Sequence, residues 1–506
     1  MHGAELPPSG VAGEPSKPWY RLMSRYHWFV LVVAALGWLF DCLDQQLFVL
    51  ARPSAMKELT ESDYAKEQLS PEAFKVEVDR RSGRVTAIFL IGWALGGLVF
   101  GVIGDRFGRA KTMMITILLY SAFTGLSATS TGFADFALYR FLTGLGVGGE
   151  FAVGVALVAE VMPDRARPYC LMILQMLSAV GNVFAALINM SLGVLEEQGL
   201  VSSPWRTMFL VGALPALLVL VIRAKLKEPE RWQRMRQDKV ISRQLGSYGE
   251  LFGHPTWRRN AIVGLLLAFS GVVGLWAVGF FAPDLTGKVM SQQVTAQVFE
   301  EEAEAARSAG DTSLAARIEG LQKAPAGAEL DPSQVELKAG IDTAIKGRLT
   351  FWRGVTSIML QFGAFLGMFG FGMVAQRFGR RPTFGVAFVL AGLSTAAVFW
   401  FLTDFSQLFW MVPIMGFCQL SLFAGYAMYF PELFPTHLRS TGTSFCYNVG
   451  RFVAASGPFI QGELTALFKD TPEPLRYAGV TMCSVFLLGL LVLPYAPETK
   501  GKPLPE

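Results

Sequence analysis

Stretches of roughly 20 apolar residues, the length that crosses a hydrocarbon core, recur along the whole chain. They fall at 27–50, 84–103, 110–130, 133–159, 168–192 and 205–224. After a polar connector they resume at 259–282, 349–375, 382–402, 406–430, 441–464 and 473–494. Six and then six such stretches predict an all-α membrane protein. Composition agrees: charged residues make up 17% of the chain and hydrophobic ones 52%, against about 25% charge in soluble domains. The net charge of +4 is spread among loops and gives no footprint for nucleic acid. All five cysteines (Cys42, Cys170, Cys418, Cys446 and Cys483) lie in apolar spans, so no disulfide framework is expected.

The chain divides into a polar tail 1–26, a six-span half 27–224, a linker 225–258, a second half 259–494 and a tail 495–506. The amino-terminal tail lacks the apolar core and cleavage site of a secretory signal. Basic residues crowd the connectors 104–111, 163–168 and 375–382 and the linker, whereas the short turns 131–133 and 403–406 have no Lys or Arg. That bias predicts a cell-membrane protein with both termini cytoplasmic. Two outer connectors are long, 51–83 and 285–348; the second has helical composition on either side of a Pro/Gly/Ala stretch. A solvated helical cap is the expected structure, and a lid or docking surface the alternative.

A repeat is hidden in the loops. Arg106-Phe107-Gly108-Arg109 returns 271 residues later as Arg377-Phe378-Gly379-Arg380. The pattern Glu160, Pro163, Arg167 returns 272 residues later as Glu432, Pro435, Arg439, and KEPER at 227–231 is echoed by APETK at 496–500. Three pairs at nearly one spacing indicate a duplicated six-helix unit. Copies separated by six spans enter the membrane in the same direction, so the halves are related by a pseudo-two-fold axis along the membrane normal, with a central cavity between them.

On these residues the sequence resembles the major facilitator superfamily over nearly its whole length. Its most specific loop motif is matched by Gly104, Asp105, Arg106, Gly108, Arg109 and Lys111; the second copy has Ala375-Gln376 in place of Gly-Asp. The basic residues of these loops are expected to hold the acidic helix ends Glu160 and Glu432 in one of two half-to-half arrangements. Arg167, Arg377, Arg380 and Arg439 belong to the same set, and topology signalling is the blander alternative. Asp41-x-x-Asp44, the run Arg140 to Glu150 and Asn448-x-Gly450-Arg451 resemble the proton-coupled aromatic-acid, lactate/pyruvate and sialic-acid symporters. The tail PETKG at 497–501 is similar to that of sugar porters, but span seven lacks the paired Gln and the Asn of their sugar signature.

A charge at mid-bilayer costs about 2.5–3.5 kcal/mol on insertion scales. Asp41, Asp44, Arg140, Glu150 and Arg451 are therefore expected to face the central cavity. Asp41 or Asp44, with Glu150, is the expected carrier of the coupling proton, the only cofactor foreseen. Arg451, always charged, is the expected receiver of a substrate carboxylate. Arg140 and Glu150 stand ten apart, about 15 Å along one helix, so each needs a partner on another span, Asp41 or Asp44 being a candidate for Arg140. Gln45, Arg140, Gln175, Asn182, Trp276, Gln361, Tyr426, Tyr447 and Asn448 are expected to add charged, polar and aromatic contacts to a small-molecule substrate. Four scattered histidines without metal spacing, and the absence of nucleophile or phosphate-loop motifs, point away from an enzyme. The expected function is proton-coupled transport of an organic anion by a monomer. A sugar or polyol porter is the alternative, followed by cation export and a sensor that keeps the fold.

Overall fold

A computed structural model describes residues 18–64, 70–197, 200–238, 244–275, 282–323 and 331–505. Trp276, most of the amino-terminal tail and part of the 225–258 linker lie outside the described residues. The first half comprises α1 (Arg25–Asp63), α2 (Pro71–Phe107), α3 (Arg109–Ser127), α4 (Phe133–Val161) and α5 (Arg167–Glu197), then a broken sixth span, α6 (Pro204–Val211) and α7 (Ala216–Lys225). The linker carries α8 (Glu230–Gln237) and α9 (Tyr248–Gly253). The second half begins with α10 (Pro255–Val273), followed by α11 (Ala282–Ser308), α12 (Thr312–Lys323) and α13 (Pro332–Phe378). It continues with α14 (Arg380–Phe401), α15 (Leu408–Leu433), α16 (Arg439–Ala454), α17 (Gly457–Leu467), α18 (Pro474–Met482) and α19 (Val485–Val492).

Among the described residues eight helices are long and apolar enough to cross a membrane. The other spans are diluted or interrupted for local reasons. Buried Thr112, Thr116, Ser121 and Thr124 make α3 more polar. The sixth span breaks at 212–215, and the eleventh breaks between α16 and α17. The pivots of the repeated loop are Gly108 (φ 114°) and Gly379 (φ 103°), which separate α2 from α3 and α13 from α14. Only glycine takes that backbone without strain, which explains why both copies of the loop keep it. Within the first half α2 and α4 touch backbone to backbone. A Cβ on Gly92 or Gly96 would strike the Phe141 or Leu145 carbonyl, and one on Gly144 or Gly148 would strike that of Phe89 or Trp93. Small residues on both faces permit that approach.

The outer connector 51–83 is mostly helix, and the first span, expected to end at residue 50 just before Arg52-Pro53, continues through the proline. Pro53 lies inside α1, which runs on to Asp63. Proline removes one helical hydrogen bond, but Ala55, Met56, Leu59 and Thr60 beyond it are buried. Glu58 anchors the extension by accepting from Trp205 Nε1 (2.6 Å) and Arg206 Nη2 (2.9 Å). In the second half α11, α12 and the start of α13 form an outer helical unit with a small core of its own, including Val294, Val298, Phe299, Ile318, Leu321 and Ile341.

The halves meet along two antiparallel seams, α2 against α16 and α5 against α13. In the first, Gly97 faces Asn448 and Gly101 faces Ser444; in the second, Gly372 faces Met172 and Gly354 faces Met190. Helices aligned over such distances bring residues far apart in sequence to one level at the centre.

Candidate functional site

The intramembrane charges divide into three groups. Asp44 and Arg140 form an ion pair inside the first half, with Arg140 Nη1 3.7 Å from Asp44 Oδ1. Thr124 Oγ1 donates to the same carboxylate oxygen at 2.5 Å. Arg140 gives its remaining donors to Ser127 Oγ (2.8 Å), Thr124 Oγ1 (3.1 Å) and Thr143 Oγ1 (3.0 Å), and it lies 4.6 Å from the Phe209 ring centre. This corrects the expectation that Arg140 contacts substrate. Its guanidinium is enclosed between α3, α4 and α6 and anchors the half from within.

Asp41 takes a different neighbour. It lies one turn beyond Gly37, the α1 position that faces Glu150 on α4, and among the described residues no donor reaches any of the four carboxyl oxygens of Asp41 and Glu150. Gly37 makes the room, since a Cβ there would strike Glu150 Oε1. Two carboxyls in contact without a cation cannot both stay ionised, because like charges at that range repel strongly in a dry interior.

Arg451 is the converse case, a buried cation without an acid among the described residues. Its Nη1 donates to Tyr447 O (2.6 Å) and Asn448 Oδ1 (3.0 Å), and its Nε has no partner. The guanidinium lies 4.2 Å from the Trp93 ring centre and 4.4 Å from that of Tyr447. From Tyr447 an aromatic ladder runs into the first half, stacking on Phe151 at 4.0 Å, which meets Trp38 at 4.6 Å. Cys42 sits within electrostatic reach of Asp41, Glu150 and Arg451 together. A cation without an acid and an acid pair without a cation thus stand on either side of the Tyr447–Phe151 stack, Phe151 adjoining Glu150 in the chain, and neither neutralises the other.

The remaining candidates distribute around this locus unevenly. Asn448 Nδ2 donates to Gly148 O (3.3 Å) and Ser444 Oγ (3.0 Å), so it ties α16 to α4 while orienting Arg451. Gln175 Oε1, Asn182 Oδ1 and Gln361 Oε1 are carbonyl oxygens without donors on the α5–α13 seam. The register set by Gly372 with Met172 and Gly354 with Met190 places Gln361 level with position 183, beside Asn182. Gln45 is half-buried. Tyr426 departs from expectation: its hydroxyl donates to Leu267 O at 2.7 Å, a strut inside the second half rather than a ligand group. The charges expected to line an open, watery cavity are instead sealed, with Asp41, Asp44, Arg140, Glu150 and Arg451 each no more than 1% exposed. The halves are pressed together over them, and the contacts that press them lie at the end where the linker runs.

At that linker end the repeated motifs form a latch. Asp105 accepts from Ser440 N (3.2 Å), Thr441 N (2.8 Å) and Thr441 Oγ1 (2.7 Å), capping the start of α16 from across the seam. A carboxylate at a helix start satisfies otherwise unpaired N–H groups and meets the positive end of the dipole. Arg109 Nη2 bridges Asp105 Oδ1 and Glu160 Oε1, both at 2.9 Å, and donates to Thr436 O at 2.7 Å. Arg439 Nη1 reaches the same Glu160 oxygen at 3.1 Å. Two acids and two arginines, with one arginine and the capped helix supplied by the second half, make a neutral cluster. The second copy does not reciprocate. Arg380 pairs with Glu432 at 2.8 Å, Gln376 Nε2 in the place of the aspartate finds no acceptor, and Arg167 binds Asp164 and Ala159 O within its own half. Arg106, Lys111 and Arg377 are exposed rather than latching. The latch is therefore one-sided, which the loss of Gly-Asp at 375–376 accounts for.

The third echo is a pair of helix caps that the sequence alignment had shifted by one residue. Glu228 accepts from Ala110 N and Lys111 N at 3.2 and 3.1 Å. Glu498 accepts from Arg380 N and Arg381 N at 2.9 and 3.0 Å. Burial works against the charge on Glu498, but these N–H groups, with those of Thr499 and Lys500, outweigh it and hold its carboxyl below the ordinary value. Glu228 and Glu498, Thr436, Ser440, Thr441 and Trp93 were not singled out from the sequence; only the Glu-Pro echo signalled the caps.

Asp105→Asn removes the anion from the α16 cap while leaving its shape. The closed arrangement is expected to lose about 1 kcal/mol, the usual worth of such a cap. Spin labels on K111C and R377C then report a longer, broader distance distribution than in the parent carrying the same labels.

Two stacked six-helix halves that close over an unpaired arginine and an unpaired acid pair are the arrangement of a membrane transporter. The comparisons give the family. The "Sugar (and other) transporter" family matches residues 32–247, and the "Major Facilitator Superfamily" family matches residues 352–506. The chain is 26% identical to the "Probable 4-methylmuconolactone transporter" of Cupriavidus pinatubonensis, over 96% of this chain and 93% of that one. It is 25% identical to the 4-hydroxybenzoate transporter PcaK of Pseudomonas putida, over 88% of each. Among solved structures, the proton:xylose symporter XylE superposes with a TM-score of 0.66 at 18% identity, covering 95% of this chain and 98% of that one, a likeness of fold. The chain belongs to the major facilitator superfamily, whose members are transporters and not enzymes.

Proposed function

We propose that the protein carries a small organic anion, a carboxylate, together with a proton, by alternating access between its halves. The observation that carries this reading is Arg451, a buried guanidinium with no acid partner among the described residues, joined through the Tyr447–Phe151 stack to the part of α4 that holds Glu150. A buried unpaired charge costs several kcal/mol, and an incoming carboxylate relieves that cost with a bidentate contact. Proton binding by the Asp41–Glu150 pair removes the repulsion that the entering anion would otherwise meet. Both charges are then neutralised together, which suits a loaded state crossing a dry barrier.

The aromatic faces of Trp93, Tyr447 and Phe151 around Arg451 favour a planar, unsaturated acid, and the names of the relatives for 4-hydroxybenzoate and 4-methylmuconolactone accord with that. A sugar is the second reading, on the strength of the sugar-transporter family match to the first half. It is weakened by α10, where the donors of Asn260 and Ser270 are already given to the carbonyls of Leu433 and Val485. The basic connectors support a cytoplasmic linker end, so the latch closes the cytoplasmic side. The setting that follows is a monomer in the cell membrane with both termini inside and no cofactor beyond the proton.

A thermal-shift screen tests the substrate class, because a ligand that binds only the folded state stabilises it. The melting temperature is expected to rise with 4-hydroxybenzoate, more at pH 5.5 than at pH 7.5, and not with xylose or glucose. A rise with hexoses alone removes the organic-anion reading.

A further inference from the structure

The linker end holds a second place that presents charge without a partner. A cleft of about 610 Å³ opens where α8 folds back beside the start of α3, lined by Lys111, Lys227, Glu228, Trp232, Gln233 and Arg236. Its acid is already engaged, since both Glu228 oxygens face backbone N–H groups of α3. Its three cations have no carboxylate within ion-pair distance among the described residues, although close pairs occur elsewhere in the same helix, such as Arg234 with Glu230 at 3.5 Å. Arg236 lies over the Trp232 ring at 5.2 Å. Gln233 is fixed by donating to Glu228 O at 2.8 Å.

The corresponding corner of the second half is filled. There Arg381 donates to Pro494 O (3.1 Å) and Lys500 donates to Arg377 O (2.7 Å), so those cations meet carbonyls of their own chain. By the loop repeat Lys111 stands where the second half has Pro382, and by the cap register Lys227 stands where it has Pro497, so the open positive corner belongs to the first half alone. The open corner also touches the latch. Its wall residue Trp232 donates from Nε1 to Asp105 O at 2.6 Å, on the residue that caps α16.

We propose that this cleft is a binding site for a phosphate-bearing anion, supplied by the headgroup of an anionic lipid or by soluble phosphate, and that its occupant steadies α8 and the Asp105 latch. Three convergent donors, two compact ammonium groups and one planar guanidinium, match the tetrahedral oxygens of a phosphate. The cleft lies at the end of the spans, and a basic segment there faces the negative leaflet surface when the linker end is cytoplasmic. Occupancy neutralises mutual repulsion among Lys111, Lys227 and Arg236 and fixes the helix that holds Trp232.

The test uses the full-length protein in detergent micelles at constant ionic strength. Dioctanoyl phosphatidylglycerol, dioctanoyl phosphatidylcholine and inorganic phosphate are titrated against the unmodified chain and the K111Q/K227Q/R236Q variant. Phosphatidylglycerol is expected to raise the melting temperature and to slow hydrogen exchange across 230–237, phosphatidylcholine to do neither, and the variant to bind phosphatidylglycerol at least about tenfold more weakly. An equal response to inorganic phosphate, lost in the variant, supports the site and assigns its occupant to solution. A variant that responds as the parent does, or a parent that answers phosphatidylcholine as well as phosphatidylglycerol, overturns the proposal. Should the triple variant fail to fold, R236Q alone, at an exposed position on α8, is read by the same criteria.

Discussion

Arg451→Gln is expected to abolish measurable uptake and to leave the protein as stable as the parent or more so. The guanidinium has no acid to abandon among the described residues, so its removal deletes an uncompensated buried charge and strands no charge, leaving only the Asn448 Oδ1 and Tyr447 O acceptors for the new amide to meet. Binding pays a different penalty, because truncating a charged contact to a bound anion typically costs 2–5 kcal/mol, about 30-fold or more in affinity. Arg451→Lys keeps the charge but not the fork, and is expected to recover only part of the loss. The contrast is Arg140→Gln, which leaves Asp44 buried at 0% exposure without its cation; breaking such a pair costs roughly 3–5 kcal/mol. That variant is expected to melt lower, with transport falling in proportion to folded protein. Equal stability losses in the two variants would show that Arg451 is a structural ion-pair member like Arg140.

The second large effect concerns coupling. With Asp41→Asn and Glu150→Gln together, no carboxyl remains at that contact to take or release a proton. Exchange of labelled substrate across the membrane at equal pH is expected to persist, while accumulation driven by a pH gradient disappears. One pH unit is worth about 1.36 kcal/mol, so each co-transported proton sustains about tenfold accumulation per unit in the parent, against none in the double variant. The comparison separates loss of coupling from loss of binding, because exchange needs only binding and the half-to-half motion. Persistent gradient-driven accumulation would instead move the proton to Asp44 or to a group outside this pair.

Much of the frame was legible because a bilayer leaves few options. Length and apolarity placed the spans, the turn at 128–132 separates α3 from α4 where the Ser/Thr/Gly run indicated, and the loop repeats exposed the duplication. The charged residues were visible too, since in lipid each demands a reason. Their pairing was legible only as a choice, since Asp41 or Asp44 was expected to meet Arg140 and it is Asp44 that does. Asp41 and Asp44 stand three apart, which leaves them about 60° from each other around the helix. One therefore meets α4 and Glu150, and the other meets α3 and Arg140, a division that depends on which neighbour packs on which side. The solitude of Arg451 was equally hidden, because a missing partner is a property of the packed interface. Pro53 misled for a physical reason: helix continuation was decided by the buried residues after it, which outweigh one lost hydrogen bond. Periodicity locates faces, and only the assembled seams decide what those faces meet.

Proton movement accompanying substrate in proteoliposomes tests the central claim most directly. An internal pH dye is read after external 4-hydroxybenzoate is added, with the signal from protein-free vesicles subtracted to remove permeation of the neutral acid. Net acidification in vesicles holding the parent chain, and none with D41N/E150Q, is the predicted result. Labelled 4-hydroxybenzoate entering through the parent chain with no proton movement above the protein-free vesicles would contradict it.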